Sequence, residues 1–147
     1  MIVRITTDLD ASAEKIWALL RRKRTFLHVT RGVIGIRDAD DWPTEQREGM
    51  VMRGRLWIFH VVPIWVHEIN VESVDEHRRE ARTSEHGGPV QRWQHLLKVE
   101  PLADGRTRYT DEVTIDAGVL TPLVWVFAHG LYRYRHKRWR SLAKVIS

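Results

Sequence analysis

The chain has 147 residues, 43% of them apolar, and a net charge of +5, which suits one soluble globular domain over residues 1–147. It has no cysteine, which excludes disulfides and thiolate sites, and seven tryptophans, a large supply of flat side chains for a core or a cavity wall. No signal-peptide pattern opens it and its longest apolar run, residues 117–128, is too short for a bilayer, so a cytoplasmic location without membrane insertion is expected.

Residues 2–9 alternate as a first strand, and Asp10-Ala-Ser12 breaks it. Ser12 is suited to cap a short helix, with Glu14 in the first turn and Ile16, Leu19 and Leu20 on one stripe. A second helical piece is predicted over 25–29. A strand begins at 33–36, and the polar stretch 38–48 reads as a loop. Residues 50–60 read as a strand that Pro63 ends in a turn, since proline cannot donate to a ladder. Strands follow at 64–74 and 79–86. Gly87-Gly88-Pro89 is a break, and a strand covers 90–100. Asp104-Gly105 is a hairpin turn, and 107–116 is the last strand.

Thr121-Pro122 then suits the start of a long helix, threonine as cap and proline in the first turn. Leu123, Val126, Phe127, Leu131, Tyr134, Leu142 and Val145 are expected on its packed side. Arg133, Arg135, Lys137, Arg138, Arg140 and Lys144 read either as its solvated face or as a patch for an anionic partner. No aromatic-plus-basic motif accompanies them, so no nucleic-acid partner is predicted. Trp57 shares an outward face with Arg53 and Arg55, where it either covers neighbouring stems or marks a homodimer contact.

Residues two apart share a strand face. The inner faces are expected to carry Trp65, His67, Ile69 and Val71; Ala81, Thr83 and Glu85; Trp93, His95, Leu97 and Val99; and Tyr109, Asp111, Val113 and Ile115. A turn centred on Asp104-Gly105 sets His95 opposite Asp111 and Trp93 opposite Val113. His67, Glu85, His95 and Asp111 are polar members of apolar rows. Either they satisfy one another or they line a pocket. A His95–Asp111 pair would orient the imidazole and raise its basicity, so these two are the candidates for acid–base work. The histidines show no metal-ligand spacing, and no phosphate loop or nucleophile elbow is present. Neither metal nor cofactor is expected.

The order of strand, two short helices, six strands and long helix resembles the START-like (SRPBCC) superfamily. Asp10-Ala-Ser-Ala-Glu-Lys-Ile-Trp17, Gly88-Pro89-Val90-Gln-Arg-Trp93-Gln-His95, Thr107-Arg-Tyr-Thr-Asp111-Glu-Val113 and Tyr132-Arg-Tyr-Arg-His136-Lys-Arg-Trp139 are similar to segments of that family. Thr83 and Glu85 stand where relatives often carry an acid and a glutamine, and Val90 where an aromatic is common, so no particular ligand carries over. The resemblance implies an α+β helix-grip fold: a curved antiparallel sheet of about seven strands around a long C-terminal helix, with two short helices after the first strand.

It also implies a cavity for a small hydrophobic or amphipathic ligand, of lipid, polyketide or aromatic type. The residues expected to line it are Trp65, His67, Glu85, Trp93, His95, Tyr109 and Asp111 from the sheet, and Phe127, Leu131 and Tyr134 from the helix. The alternative is a polyketide cyclase or dehydratase type of enzyme using His95 with Asp111.

Overall fold

A computed structural model describes residues 1–147. β1 (Ile2–Leu9) leads through α1 (Ala13–Leu20) and α2 (Lys23–Thr30) to β2 (Ile34–Ile36). Successive hairpins then form β3 (Val51–Ile58), β4 (Val62–Asp75), β5 (Glu80–Gly87), β6 (Val90–Pro101) and β7 (Thr107–Asp116). α3 (Thr121–Ile146) closes the chain. The seven strands make one sheet in the order β1-β7-β6-β5-β4-β3-β2, antiparallel throughout. The two short helices thus carry the chain from one sheet edge to the other. This is the helix-grip α+β architecture, and no helix is long and apolar enough to cross a membrane.

Local chemistry explains the elements. Ser12 caps α1, its Oγ accepting from the Lys15 amide at 3.4 Å, and Ile16, Trp17 and Leu20 form the buried stripe. The expected inner rows of β4 to β7 are the inner rows of the sheet, with Val71, Val99, Val113 and Ile115 at 2% exposure or less. Leu9, Ile16, Val29, Val99, Tyr109 and Trp139 build the core where α1, α2 and the end of α3 meet the sheet. A second cluster joins Val3, Trp93, Val113, Ile115, Ala128 and Tyr132 under the first half of α3.

Five expectations need correction. Pro63 lies inside β4, opposite Trp57, where the β3–β4 register shifts. The turn comes earlier, at residues 59–61, with Phe59 and His60 at φ of 52° and 61°. His60 holds it by accepting from the Gly32 amide at 3.0 Å. The β6–β7 register pairs His95 with Val113, Trp93 with Ile115 and Leu97 with Asp111. The shift is two residues, so every side chain keeps its face. The stretch 38–48 is not simply a polar loop: a short 3-10 turn, Ala39–Asp41, seats Trp42 in the core, where its Nε1 donates to the Arg53 carbonyl at 2.8 Å. Thr121 does not cap α3 through its own helix. Its hydroxyl donates back to the Gly118 carbonyl at 2.7 Å and accepts from the Ala117 amide at 2.9 Å.

The fifth correction is the largest. Of the stripe expected to pack on α3, Leu123, Val126 and Val145 are 68%, 61% and 82% exposed. The buried side is Ala128, Leu131, Tyr132, Arg135, His136, Trp139 and Ala143. Its spacing of three and four is fully helical, but two of its members are basic. Ala128 and Ala143 let the helix approach the sheet, and Asp111 on β7 supplies the partner that makes burial of His136 affordable. Arg135 therefore leaves the basic face, while Arg133, Lys137, Arg140 and Lys144 stay on it.

Candidate functional site

Between the sheet, α2 and the first two-thirds of α3 lies a cavity of about 380 Å³. Twenty of its 28 lining residues are hydrophobic; Thr25, Thr30 and Gln46 are scattered polar members of the wall, and its ionisable side chains gather at one end. There β4, β5 and β6 present His67, Glu85 and His95 from their inner rows, and α3 presents Arg135.

The polar groups form one connected chain. Trp65 Nε1 donates to His67 Nδ1 at 3.3 Å, which leaves His67 Nε2 to donate to Glu85 Oε1 at 3.1 Å. Glu85 Oε2 accepts from the Thr83 hydroxyl at 2.7 Å and faces His95 Nδ1 at 3.7 Å. His95 Nε2 lies 2.7 Å from Asp111 Oδ1, which also accepts from the Tyr109 hydroxyl at 2.9 Å. His136 Nε2 donates to Asp111 Oδ2 at 2.9 Å. His95 and Asp111 meet diagonally across β6 and β7, a separation that long side chains span. An unpaired buried donor or acceptor costs about 1–3 kcal/mol, so this chain of partners is what lets polar residues sit in apolar rows.

The protonation states follow from these contacts. Burial opposes ionisation of Asp111, but the Arg135 charge and the hydrogen bonds from His136 and His95 hold its carboxyl well below the usual range. Burial likewise opposes ionisation of Glu85, and His67 and then His95 overcome it, so its carboxyl also lies far below its ordinary value. Burial pushes the His95 imidazole down, whereas the bond to Asp111 and the Glu85 charge push it up, and the net direction is up. Burial and the Asp111 charge raise the Tyr109 hydroxyl well above its ordinary value, so it remains a donor. Burial disfavours the Arg135 charge, but Asp111 more than restores it. Two carboxylates thus face a guanidinium and an imidazole biased toward its cationic form.

Of the residues nominated from sequence, Trp65, His67, Glu85, Trp93 and His95 line the cavity from the sheet, and Phe127 and Leu131 from α3. Asp111 and Tyr109 sit behind His95, at 1% and 0% exposure, and do not reach the cavity. Tyr134 is turned away from it, and its hydroxyl donates to the Arg31 carbonyl. Arg135, Tyr132 and Trp139 line it without having been nominated. The signal for them was present: Tyr132, Arg135, His136 and Trp139 recur at helical spacing with Ala128 and Ala143. The Gly87-Gly88 pair also serves the site. A Cβ at Gly88 would lie 2.5 Å from Trp65 Cδ2, and one at Gly87 2.5 Å from Trp65 Cδ1, so two glycines clear the seat of the Trp65 indole.

The whole architecture has solved counterparts. A START superfamily protein from Mycobacterium smegmatis superposes with a TM-score of 0.70 at 15% identity, over 99% of both chains. A protein from Thermus thermophilus gives 0.70 at 17% identity, over 100% of this chain and 99% of that one. A Chromobacterium violaceum protein gives 0.73 at 11%, over 97% and 96%. These likenesses establish the START-like fold. No curated protein matches the sequence significantly. A family model does match it, from residue 7 to residue 143, and so on a START-like helix-grip fold the chain belongs to the family described as Domain of unknown function (DUF8410).

Proposed function

We propose that the protein, a single domain over residues 1–147 acting in the cytoplasm, binds a small hydrophobic or amphipathic molecule of lipid, polyketide or aromatic type between sheet and α3. The observation that carries this reading is the cavity itself. Its volume of about 380 Å³ lies in the range of small-molecule sites, roughly 300–1,000 Å³. Burying the ligand's apolar surface stabilises the complex by roughly 25 cal/mol per Å². The polar end, built from His67, Glu85, His95 and Arg135, orients what enters. The START-like fold, typical of ligand-binding scaffolds, supports the same reading.

Native mass spectrometry of the purified protein, compared with a denatured sample, tests it. A small molecule that copurifies and is lost on denaturation is the expected result. A bare mass, together with failure of every apolar probe to bind, would remove the proposal.

One observation favours a second reading, acid–base catalysis of the polyketide cyclase or dehydratase type. His95 stands on the cavity wall with Asp111 2.7 Å behind it. Against it, His95 Nε2 is held by Asp111 at 2.7 Å and Glu85 lies 3.7 Å from Nδ1, and these two carboxylates bias the imidazole toward its cationic form rather than toward a free base. Conversion of a captured molecule that stops in both His95→Ala and Asp111→Asn would support catalysis; turnover that survives both would dismiss it.

A further inference from the structure

The polar end of the cavity is rich in donors and short of acceptors. Arg135 is 5% exposed and lines the cavity, yet its guanidinium makes no hydrogen bond within the protein, and its Nε is fully buried without a partner. Trp93 and Trp139 line the cavity with their ring faces and edges, while the Nε1 of each is turned into the protein. The neighbouring carboxylates do not serve them. Asp111 accepts from His95, Tyr109 and His136, and Glu85 accepts from His67 and Thr83. Buried donors are almost always paired, because each gives up a bond it would make in water. The guanidinium of Arg135, on the cavity wall and without a hydrogen bond, is the donor that calls for an acceptor from outside the chain.

The kind of acceptor follows from the guanidinium. It is a planar fork whose parallel N–H groups match the two oxygens of a carboxylate. An alcohol or a ketone offers one oxygen and no charge. A phosphate monoester brings up to about two negative charges, too many for a single guanidinium with Glu85 and Asp111 already ionised nearby. We infer that the cavity takes a monocarboxylic acid with an apolar body, its carboxylate held by Arg135 and its body against Ile69, Phe127 and Leu131. This rests on the ligand-binding reading above and names the class of ligand.

Three probes share one apolar body: decanoate, decan-1-ol and methyl decanoate. Calorimetric titration of the full chain at neutral pH is expected to show decanoate binding at least about tenfold more tightly than the other two, as for a charge-assisted bidentate contact. In Arg135→Met the ratio of acid to alcohol affinity should collapse toward one. Arg135→Lys keeps the charge beside Asp111 but loses the fork, and should give an intermediate ratio. A measurement without any variant guards against misfolding of these proteins. The carboxyl of [1-13C]decanoate bound to the unmodified protein should titrate below its value in free solution.

Equal affinity for the three probes, or a bound carboxyl that titrates above its free value, overturns the inference and leaves ligand binding standing. So does exclusion of decanoate from a cavity that an apolar dye enters. Failure of the dye and all three probes removes the ligand-binding reading and the inference together.

Discussion

Asp111 holds three hydrogen bonds on two oxygens at 1% exposure, with the Arg135 charge close by. Asp111→Asn keeps the shape but removes the negative charge that His95 and Arg135 share, and an amide cannot accept from His95, Tyr109 and His136 as a carboxylate does. Breaking one side of a buried charge cluster costs about 3–5 kcal/mol, and urea denaturation should show a loss of that size. A loss under about 1 kcal/mol, the worth of an exposed pair, would mean that the charges are screened. The same cluster sets a pH dependence. His95 is raised above its ordinary 6.5, so its contribution to stability is full below 6.5 and is lost as pH rises through the higher folded value. Asp111 and Glu85 are held below 3.8 and 4.5, so theirs is full above those values and is lost as pH falls through the lower folded ones. Stability should therefore level off between 4.5 and 6.5 and fall on either side. In His95→Gln the fall above 6.5 should shrink; an unchanged alkaline limb in that variant would assign it to another group. The His95–Asp111 contact was legible from sequence because both residues are polar members of apolar rows on neighbouring strands. It survived a register error of two residues because the strand period is two. Arg135 and His136 share the helical spacing of Ala128, Tyr132 and Trp139, but that signal was outweighed, because a charged residue in a helix reads as solvated until the facing carboxylate is known.

For whole elements the outcome depends on how uniform the buried face is. β4 to β7 bury rows at strict alternation, and those rows could be read directly. Beside Leu131, α3 buries alanine, tyrosine, arginine, histidine and tryptophan and exposes Leu123, Val126 and Val145, so a ranking by hydrophobicity misplaced much of its packed side. Leu123 and Val126 lie in the first turns, where Leu123 is at the cavity wall yet remains 68% exposed, and Val145 lies in the last. The observed orientation makes a prediction the other face does not. Ala128 is fully buried among Val3, Val113 and Tyr132, with no room for a larger side chain. Ala128→Leu should destabilise by about 1–3 kcal/mol through overpacking. Val126→Lys, two residues away and 61% exposed, should change stability by less than about 0.5 kcal/mol. Thermal denaturation of the pair reads the orientation of α3. The opposite ranking would rotate the helix and, with it, withdraw Arg135 from the cavity.

Across the whole molecule, the cavity follows from connectivity. β1 joins the far edge beside β7 while α1 and α2 cross to β2, so the sheet curls and α3 must lie against its inner side. One helix does not fill a seven-stranded curl, and element order alone made a void under it foreseeable. Its volume and the Arg135 side of its polar end were not foreseeable, because both depend on how far α3 stands off the sheet and which face it turns. If the void exists to hold a ligand, filling it should separate stability from binding. Leu131 is 9% exposed and faces the cavity from the middle of α3. Leu131→Trp extends apolar surface into the void without creating an unmet charge. The empty variant should be as stable as the parent or more so, since unfilled apolar volume costs packing energy. A ligand that stabilises the parent by about 2.7 kcal/mol at a hundredfold excess over its Kd should stabilise the variant far less. Denaturation with and without ligand reads both quantities from one pair of proteins. Equal stabilisation of parent and variant would place the ligand elsewhere on the molecule, whereas a variant that loses stability without ligand would show that the void closes in solution and that α3 packs more tightly than a binding cavity requires.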